Sequence, residues 1–373
     1  MRIENGTVVA GECLAKRTVH VDGERIAAER PAAAGEQVVD ATGCYVTPGL
    51  IDLHFHGAMG HDLCDADADG LHAIARYEAS RGVTAICPAT MTLPEERLLP
   101  IMRTTAAHES AADEAALVGI NMEGPFISPD KVGAQNPAYV QRCDAGEFRR
   151  LQEAAGGLVK LVDIAPEQPG ALDFVRELAN DVRISVAHTS TDYDTAVEAF
   201  AAGARHVTHL YNAMPSLHHR NPGPIPAAVE HADVTAEIIA DGVHIHPAMV
   251  RLAFALFGDD RMILISDSLR ACGLGDGEYE LGGQRFTVRG NRATIANGSL
   301  AGSVSDVMAC LRTAVQQMNI PLTSAVKAAS TNPARALGLT DRGTLAPGAI
   351  ADAVVLDADL NPVHVVLRGE LLY

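Results

Sequence analysis

An α/β fold is predicted: a (β/α)8 TIM-like barrel of eight parallel strand–helix units, carrying a small β-sandwich domain built from both termini. Three observations predict it. Apolar strand-like runs alternate with Ala-rich amphipathic stretches between residues 50 and 344. The runs are apolar throughout, as strands buried on both faces of a parallel sheet are. Residues able to act as acids, bases or ligands recur where the runs end, and a barrel gathers its reactive groups at that rim. An open doubly wound sheet fits the alternation too, but it would set some of those residues too far apart to share a site.

Taken in order, residues 1–49 hold short β-type segments at Thr7–Ala10, 18–23 and 37–40, too few to make a stable sheet alone. Segments of the same character follow the Gly343-to-Gly348 turn, at Ala353–Leu356 and Pro362–Leu367. Residues 1–49 plus 345–373 are therefore expected to form one small domain, and residues 50–344 the barrel. The first barrel strand runs through Pro48-Gly49-Leu50-Ile51-Asp52-Leu53-His54-Phe55-His56-Gly57. In an extended strand residues i and i+2 share a face, so His54 and His56 converge, although an isolated His-x-His is more often a pair of loop histidines. A helix over 66–80 precedes a strand over 83–88, and a helix over 94–112 precedes a strand over 117–123 that ends on Glu123. Further strands are read at 158–162, 183–188, 204–209, 236–241 and 262–267, four of which end on His188, His209, Asp241 and Asp267. The Gly-rich segment 280–290 reads as a hairpin inserted after the last of them.

The chain has 373 residues, 47% hydrophobic and 20% charged, the composition of a globular protein with a large core. A net charge of -18 opposes nucleic acids and anionic membranes as general partners, so an anionic substrate needs a local positive site. The start Met1-Arg2-Ile3-Glu4-Asn5-Gly6 has no export pattern, and no apolar run is long enough to span a bilayer. A cytoplasmic location is expected. Seven dispersed cysteines, with no C-x-x-C pair, read as reduced thiols filling the core.

Each ligand candidate has a bland alternative. Glu123 precedes Gly124-Pro125 and could neighbour a helix cap, His188 and His209 could be satisfied core histidines, and Asp267 could cap a helix. Jointly, four histidines, a glutamate and an aspartate closing parallel strands point to a metal. Imidazole and carboxylate ligands without thiolate suit Zn²⁺, Fe²⁺, Mn²⁺ or Co²⁺, with zinc the first expectation. Such an ion brings the pKa of bound water from about 15.7 towards about 7 and polarises a carbonyl, which serves amide hydrolysis or heterocycle deamination. Asp267 is the expected general base and then acid.

At these residues the chain resembles the amidohydrolase superfamily, and within it the N-acetylglucosamine-6-phosphate deacetylase family from end to end. The likeness rests on the Pro48-to-Gly57 segment, Glu123-Gly124-Pro125-Phe126, Lys131-Val132-Gly133-Ala134, His188-Thr189, His209-Leu210-Tyr211-Asn212-Ala213-Met214, Ala240-Asp241-Gly242-Val243-His244 and Ser299-Leu300-Ala301-Gly302-Ser303. The resemblance implies removal of acetate from N-acetylglucosamine 6-phosphate to leave glucosamine 6-phosphate. It implies that Glu123, His188 and His209 bind one metal, and that His54 and His56 match a second metal position which only some members keep. It implies Asp267 as the acid/base, and Arg220 and His244 with the Asn212-Ala213 turn as the sugar 6-phosphate site. Ala134 and Gln135 contact substrate, and Leu300, Ala301 and Gly302 cover it. A homodimer, whose neighbour contributes to the phosphate site, is also implied. Arg220 has support of its own, as a local guanidinium in a Pro-rich loop of an acidic protein, suited to bidentate phosphate binding. Two residues depart from the family pattern. Gln135 stands where many members carry a histidine that polarises the acetamide oxygen, and His246 stands where an acidic residue is frequent. Both are expected beside the sugar, so another N-acetylated amino sugar phosphate remains an alternative, as do a cyclic-amide hydrolase or deaminase and a catalytically silent scaffold.

Overall fold

The structure is a computed structural model that describes residues 1–11, 13–31 and 34–373. Eight parallel strands follow one another: β1 (Leu50–Asp52), β2 (Val83–Ile86), β3 (Ile120–Met122), β4 (Val159–Ile164), β5 (Arg183–Val186), β6 (His206–Val207), β7 (Thr235–Ile239) and β8 (Met262–Ile265). Strands β3 to β8 hydrogen-bond in sequence order, with registers such as Val162↔Ile184, Val207↔Ala236 and Ile239↔Ile265. β1 pairs with β2, and β2 reaches β3 through Ala116–Leu117 and the Ala89↔Asn121 bridge. The ring closes at its C-terminal rim, where Asp267 N donates to His54 O at 2.9 Å and His56 N to Ser268 O at 2.7 Å. This closure excludes the open sheet.

The strands are mostly apolar because both faces are covered, with buried polar exceptions such as Asp163, Ser185, His206 and Glu237. Ile51, Leu53, Leu161, Ile263 and Ile265 pack inside the ring with Ala334 and Leu337, whereas Leu50, Val162, Met262 and Leu264 join the larger core outside it. The outer layer is α1 (Ala68–Ser80), α2 (Glu95–Ala106), α3 (Ala145–Ala154), α4 (Ala171–Leu178), α5 (Tyr193–Ala202), α6 (Pro224–Glu230), α7 (Pro247–Phe257), α8 (Val307–Gln316) and α9 (Leu322–Ala329), with α10 (Thr331–Ala336) at the N-terminal end of β8, where Asn332 Nδ2 donates to Met262 O at 2.7 Å. Towards the rim the interior turns polar: Thr208 Oγ1 donates to Asp163 Oδ1 at 2.8 Å, and Ser185 and Thr208 hydroxyls lie 2.6 Å apart.

The ends of the chain share two sheets. One orders Arg25–Ala27, Val19–Asp22, Arg2–Glu4 and Val38–Asp40; the other orders Glu370–Leu371, Pro362–Leu367, Ala353–Leu356, Tyr45–Pro48, Thr7–Ala10 and Cys13–Lys16. Ile3, Val8, Val21, Val46, Val355 and Val366 from both sheets form one core cluster. Three expectations need adjusting. The helix expected over 94–112 ends at Ala106, after which Arg368 Nη2 donates to the Ala111 and Ala112 carbonyls of a loop. The strand expected over 204–209 is two residues long, because His209 already turns away at φ 30°. The inserted hairpin is a three-stranded antiparallel sheet, Gly277–Leu281, Gln284–Arg289 and Arg292–Ile295. No helix among the described residues is long and apolar enough to cross a membrane.

Candidate active site

The rim residues follow their strands by a nearly constant step. His54 lies two residues past β1, His188 two past β5, His209 two past β6 and Asp267 two past β8, while Glu123 directly follows β3. His188 (φ 41°), His209 (φ 30°) and Asp267 (φ 49°) have left-handed backbones, uncommon for residues with a Cβ and retained where the surroundings enforce them. That conformation turns the chain off each strand and across the barrel mouth. Gly124 is glycine by necessity: at φ 92° a Cβ would stand 2.2 Å from Thr92 Oγ1.

Two donor sets meet at Glu123. Its Oε1 lies 3.1 Å from His188 Nε2 and 3.1 Å from His209 Nε2, which are 3.0 Å apart. Its Oε2 is 3.3 Å from His56 Nε2, and Asp267 Oδ1 is 3.4 Å from that nitrogen and 3.9 Å from His54 Nε2. The outer nitrogens are tied down: His188 Nδ1 to Lys131 O at 2.8 Å, His56 Nδ1 to Ala89 O at 3.3 Å, and His54 Nδ1 to Glu237 Oε2 at 2.8 Å. A carbonyl only accepts, so His188 and His56 carry a proton on Nδ1 and point Nε2 inward, where it is free to bind a cation. Lone pairs of imidazole and carboxylate facing one another need a cation between them. His54 Nε2 is buried with no hydrogen-bond partner. The separations are close to the ~3.3 Å between ligands that tetrahedral metal bonds of about 2.0–2.1 Å produce. The residues thus fit a divalent metal, with Glu123, His188 and His209 around one position and His54, His56 and Asp267, their donor atoms within 4.8 Å of one another, around a second.

The electrostatics agree. Burial pushes the Glu123 carboxyl up, yet the imidazoles of His54, His188 and His209 outweigh it and hold Glu123 well below the usual carboxylate range. Burial pushes the His56 ring down, but bonds to Asp267 and Glu123 raise it to about 10. The field that draws a proton onto that ring draws a metal cation equally.

His56, Glu123, His188, His209 and Asp267 share one cavity of about 320 Å³ with Ala134 and Gln135 from the loop after β3, Asn212 and Ala213 after β6, His244 after β7, and Leu300, Ala301 and Gly302 after the inserted sheet. Gln135 is held at both ends: Nε2 donates to Glu123 Oε2 at 2.5 Å, and Oε1 accepts from Thr92 N at 2.7 Å. His244 Nδ1 bonds Asp241 Oδ2 at 2.8 Å; burial pushes this ring down, but Asp241 brings it above its ordinary value. Arg220 is not brought to this cavity. It is exposed, with Nη1 2.7 Å from His219 Nε2, and lines a separate cavity of about 470 Å³ with Ser190 to Asp194. Nor does His246 reach the site, since it is the exposed N-cap of α7, accepting from Ala248 N at 3.2 Å.

Sequence reasoning missed Glu237 and His206. Glu237 is wholly buried, and His206 Nε2 lies 2.9 Å from its Oε1, while its Oε2 holds both His54 Nδ1 and, at 3.0 Å, His209 N. Despite burial, which raises a carboxyl, His54 and His206 bring Glu237 down to about 2. A glutamate inside the apolar run Thr-Ala-Glu-Ile-Ile was the available signal.

The sequence pattern of the amidohydrolase family matches residues 45–372. The chain belongs to the amidohydrolase family. N-acetylglucosamine-6-phosphate deacetylase of Bacillus subtilis (strain 168) is 38% identical over 93% of this chain and 90% of its own length. N-acetylgalactosamine-6-phosphate deacetylase of Escherichia coli O157:H7 is 34% identical over 87% of this amidohydrolase and 86% of its own length. Among solved structures, an alanine mutant of the Mycobacterium smegmatis N-acetyl-D-glucosamine-6-phosphate deacetylase, in complex with N-acetyl-D-glucosamine-6-phosphate, superposes with a TM-score of 0.94 at 35% identity, covering 100% of this chain and 99% of that one.

Proposed function

We propose that this amidohydrolase removes the acetyl group from N-acetylglucosamine 6-phosphate, giving glucosamine 6-phosphate and acetate. The observation that carries the reading is a pair of nitrogen-and-oxygen donor sets sharing Glu123 in a cavity whose other walls match the deacetylase motifs. Glu123, His188 and His209 would hold one divalent ion, and His54, His56 and Asp267 border a second position. When bound, the ion acidifies water and polarises the amide carbonyl. Asp267 accepts the attacking water's proton and returns it to the leaving nitrogen, which departs as an amine. Gln135, fixed by Thr92 and Glu123, has one amide hydrogen left to direct at the substrate. His244, its Nδ1 held by Asp241, offers its other nitrogen to the phosphate.

Acetate release from N-acetylhexosamines, each with and without a 6-phosphate, tests the assignment. The 6-phosphates are expected to react much faster, and equal rates would remove the role given to His244. The galacto epimer is the second reading, favoured by the 34% identical galactosamine relative and by Gln135 in place of the usual histidine. We infer further that residues 1–49 and 345–373 form a β-sandwich domain beside the 50–344 barrel, supported by the core cluster that both ends share. A cytoplasmic homodimer is part of the same proposal; Arg220, exposed beyond the cavity, then serves a phosphate end completed by the neighbour.

A further inference from the structure

We propose that His72, His108 and Glu114 form a further transition-metal site of the zinc type, away from the barrel mouth. The three residues join α1 to the loop that leads into β3. His72 Nδ1 lies 2.9 Å and 3.0 Å from the two Glu114 oxygens, His108 Nε2 lies 3.6 Å from Glu114 Oε2, and the two rings are 4.5 Å apart. All three donor atoms fall within 4.8 Å of one another.

The observation that separates this cluster from an ordinary ion-pair network is His108. Its side chain is 2% exposed, yet neither ring nitrogen has a hydrogen-bond partner. A buried polar group left unpaired is unfavourable, and a metal bond to Nε2 removes that penalty at one of the two nitrogens. Two imidazoles and one carboxylate are a donor set that zinc takes with water in the fourth position. Glu114 is already oriented, its Oε2 accepting from Ala111 N at 2.9 Å. The present competitor is Arg76, whose Nη2 lies 2.9 Å from Glu114 Oε1; being half exposed and also paired with Asp113, it can yield without becoming a buried charge.

Zinc itself is the probe. Wild type and His108→Asn, stripped with a chelator and dialysed against free zinc, are compared for bound metal and for acetate release. The variant is expected to bind one equivalent fewer with unchanged turnover; equal zinc counts overturn the proposal. Should His108→Asn fold poorly, His72→Asn, at a position 31% exposed, is expected to lose the same equivalent, and a full count there overturns it equally. Arg76→Ala is expected to bind the extra zinc several-fold more tightly, whereas a purely structural network would show no change.

Discussion

Glu123 serves both halves of the site because its Oε1 lies near His188, His209 and His54 while its Oε2 faces His56, and it was legible because it ends an apolar run. Asp267 was legible for the same reason. Its replacement by Asn keeps the shape and removes the proton acceptor, so acetate release is expected to fall by about 10²- to 10⁴-fold while metal at Glu123, His188 and His209 stays bound; a drop under tenfold would dismiss it as the base. Glu237 acts one residue further out. Glu237→Gln still fills the space but weakens the hold on His54, so affinity at the His54–His56 position should fall about 10- to 100-fold, read by metal titration, with a smaller loss at the Glu123–His188–His209 position, since Glu237 Oε2 also accepts from His209 N. His244 governs pH. Its folded-state pKa is raised above the ordinary 6.5 by Asp241, whose own is lowered. The pair therefore adds stability above the lowered carboxyl pKa and below the raised imidazole pKa, and loses it outside that window. If His244⁺ binds phosphate, KM for the phosphorylated sugar rises as pH climbs through that raised value, while KM for the unphosphorylated sugar stays flat. What sequence could not show was reach: Arg220 and His246 sit in the right loops, but the φ angles that aim a loop are not written in residue type.

At the scale of elements, continuous apolarity identified the eight strands because parallel strands bury both faces, and their ends located the six side chains that meet at the rim. Boundaries were less legible, since β5, β6 and β8 stop where a left-handed residue turns the chain, and hydrophobicity carries no mark of that turn. The inserted sheet shows the same limit. Its Gly-rich stretch announced a hairpin, but the third strand, Arg292–Ile295, is recognisable only from its pairing with Gln284–Arg289. That sheet also contacts the site, for Gln284 Nε2 donates to Ala134 O at 2.8 Å. The bond ties the insertion to the wall that carries Gln135. Gln284→Ala removes one hydrogen bond of about 1 kcal/mol, so kcat/KM is expected to drop roughly fivefold, mainly through KM, with thermal stability nearly unchanged. A change confined to kcat would separate the insertion from substrate binding.

For the whole molecule, the site is a ring of contacts between strands far apart in sequence: β1, β3, β5, β6 and β8 each contribute at the same rim. A bound ion therefore ties together the strands whose order defines the barrel, including the β8–β1 junction where Asp267 N bonds His54 O. Since metal that binds only the folded chain stabilises it by about 4 kcal/mol at a thousand times its dissociation constant, chelation should lower the melting temperature by several degrees. Readdition separates the two positions. His188 and His209 with Glu123 are expected to fill first and recover most of the stability. Activity should return mainly with the second equivalent, because Gln135, unlike a histidine, cannot become cationic and leaves carbonyl polarisation to the His54–His56 side. Full activity after one equivalent, with the melting temperature still rising on the next, would assign the second position a structural role and return the polarising task to Gln135.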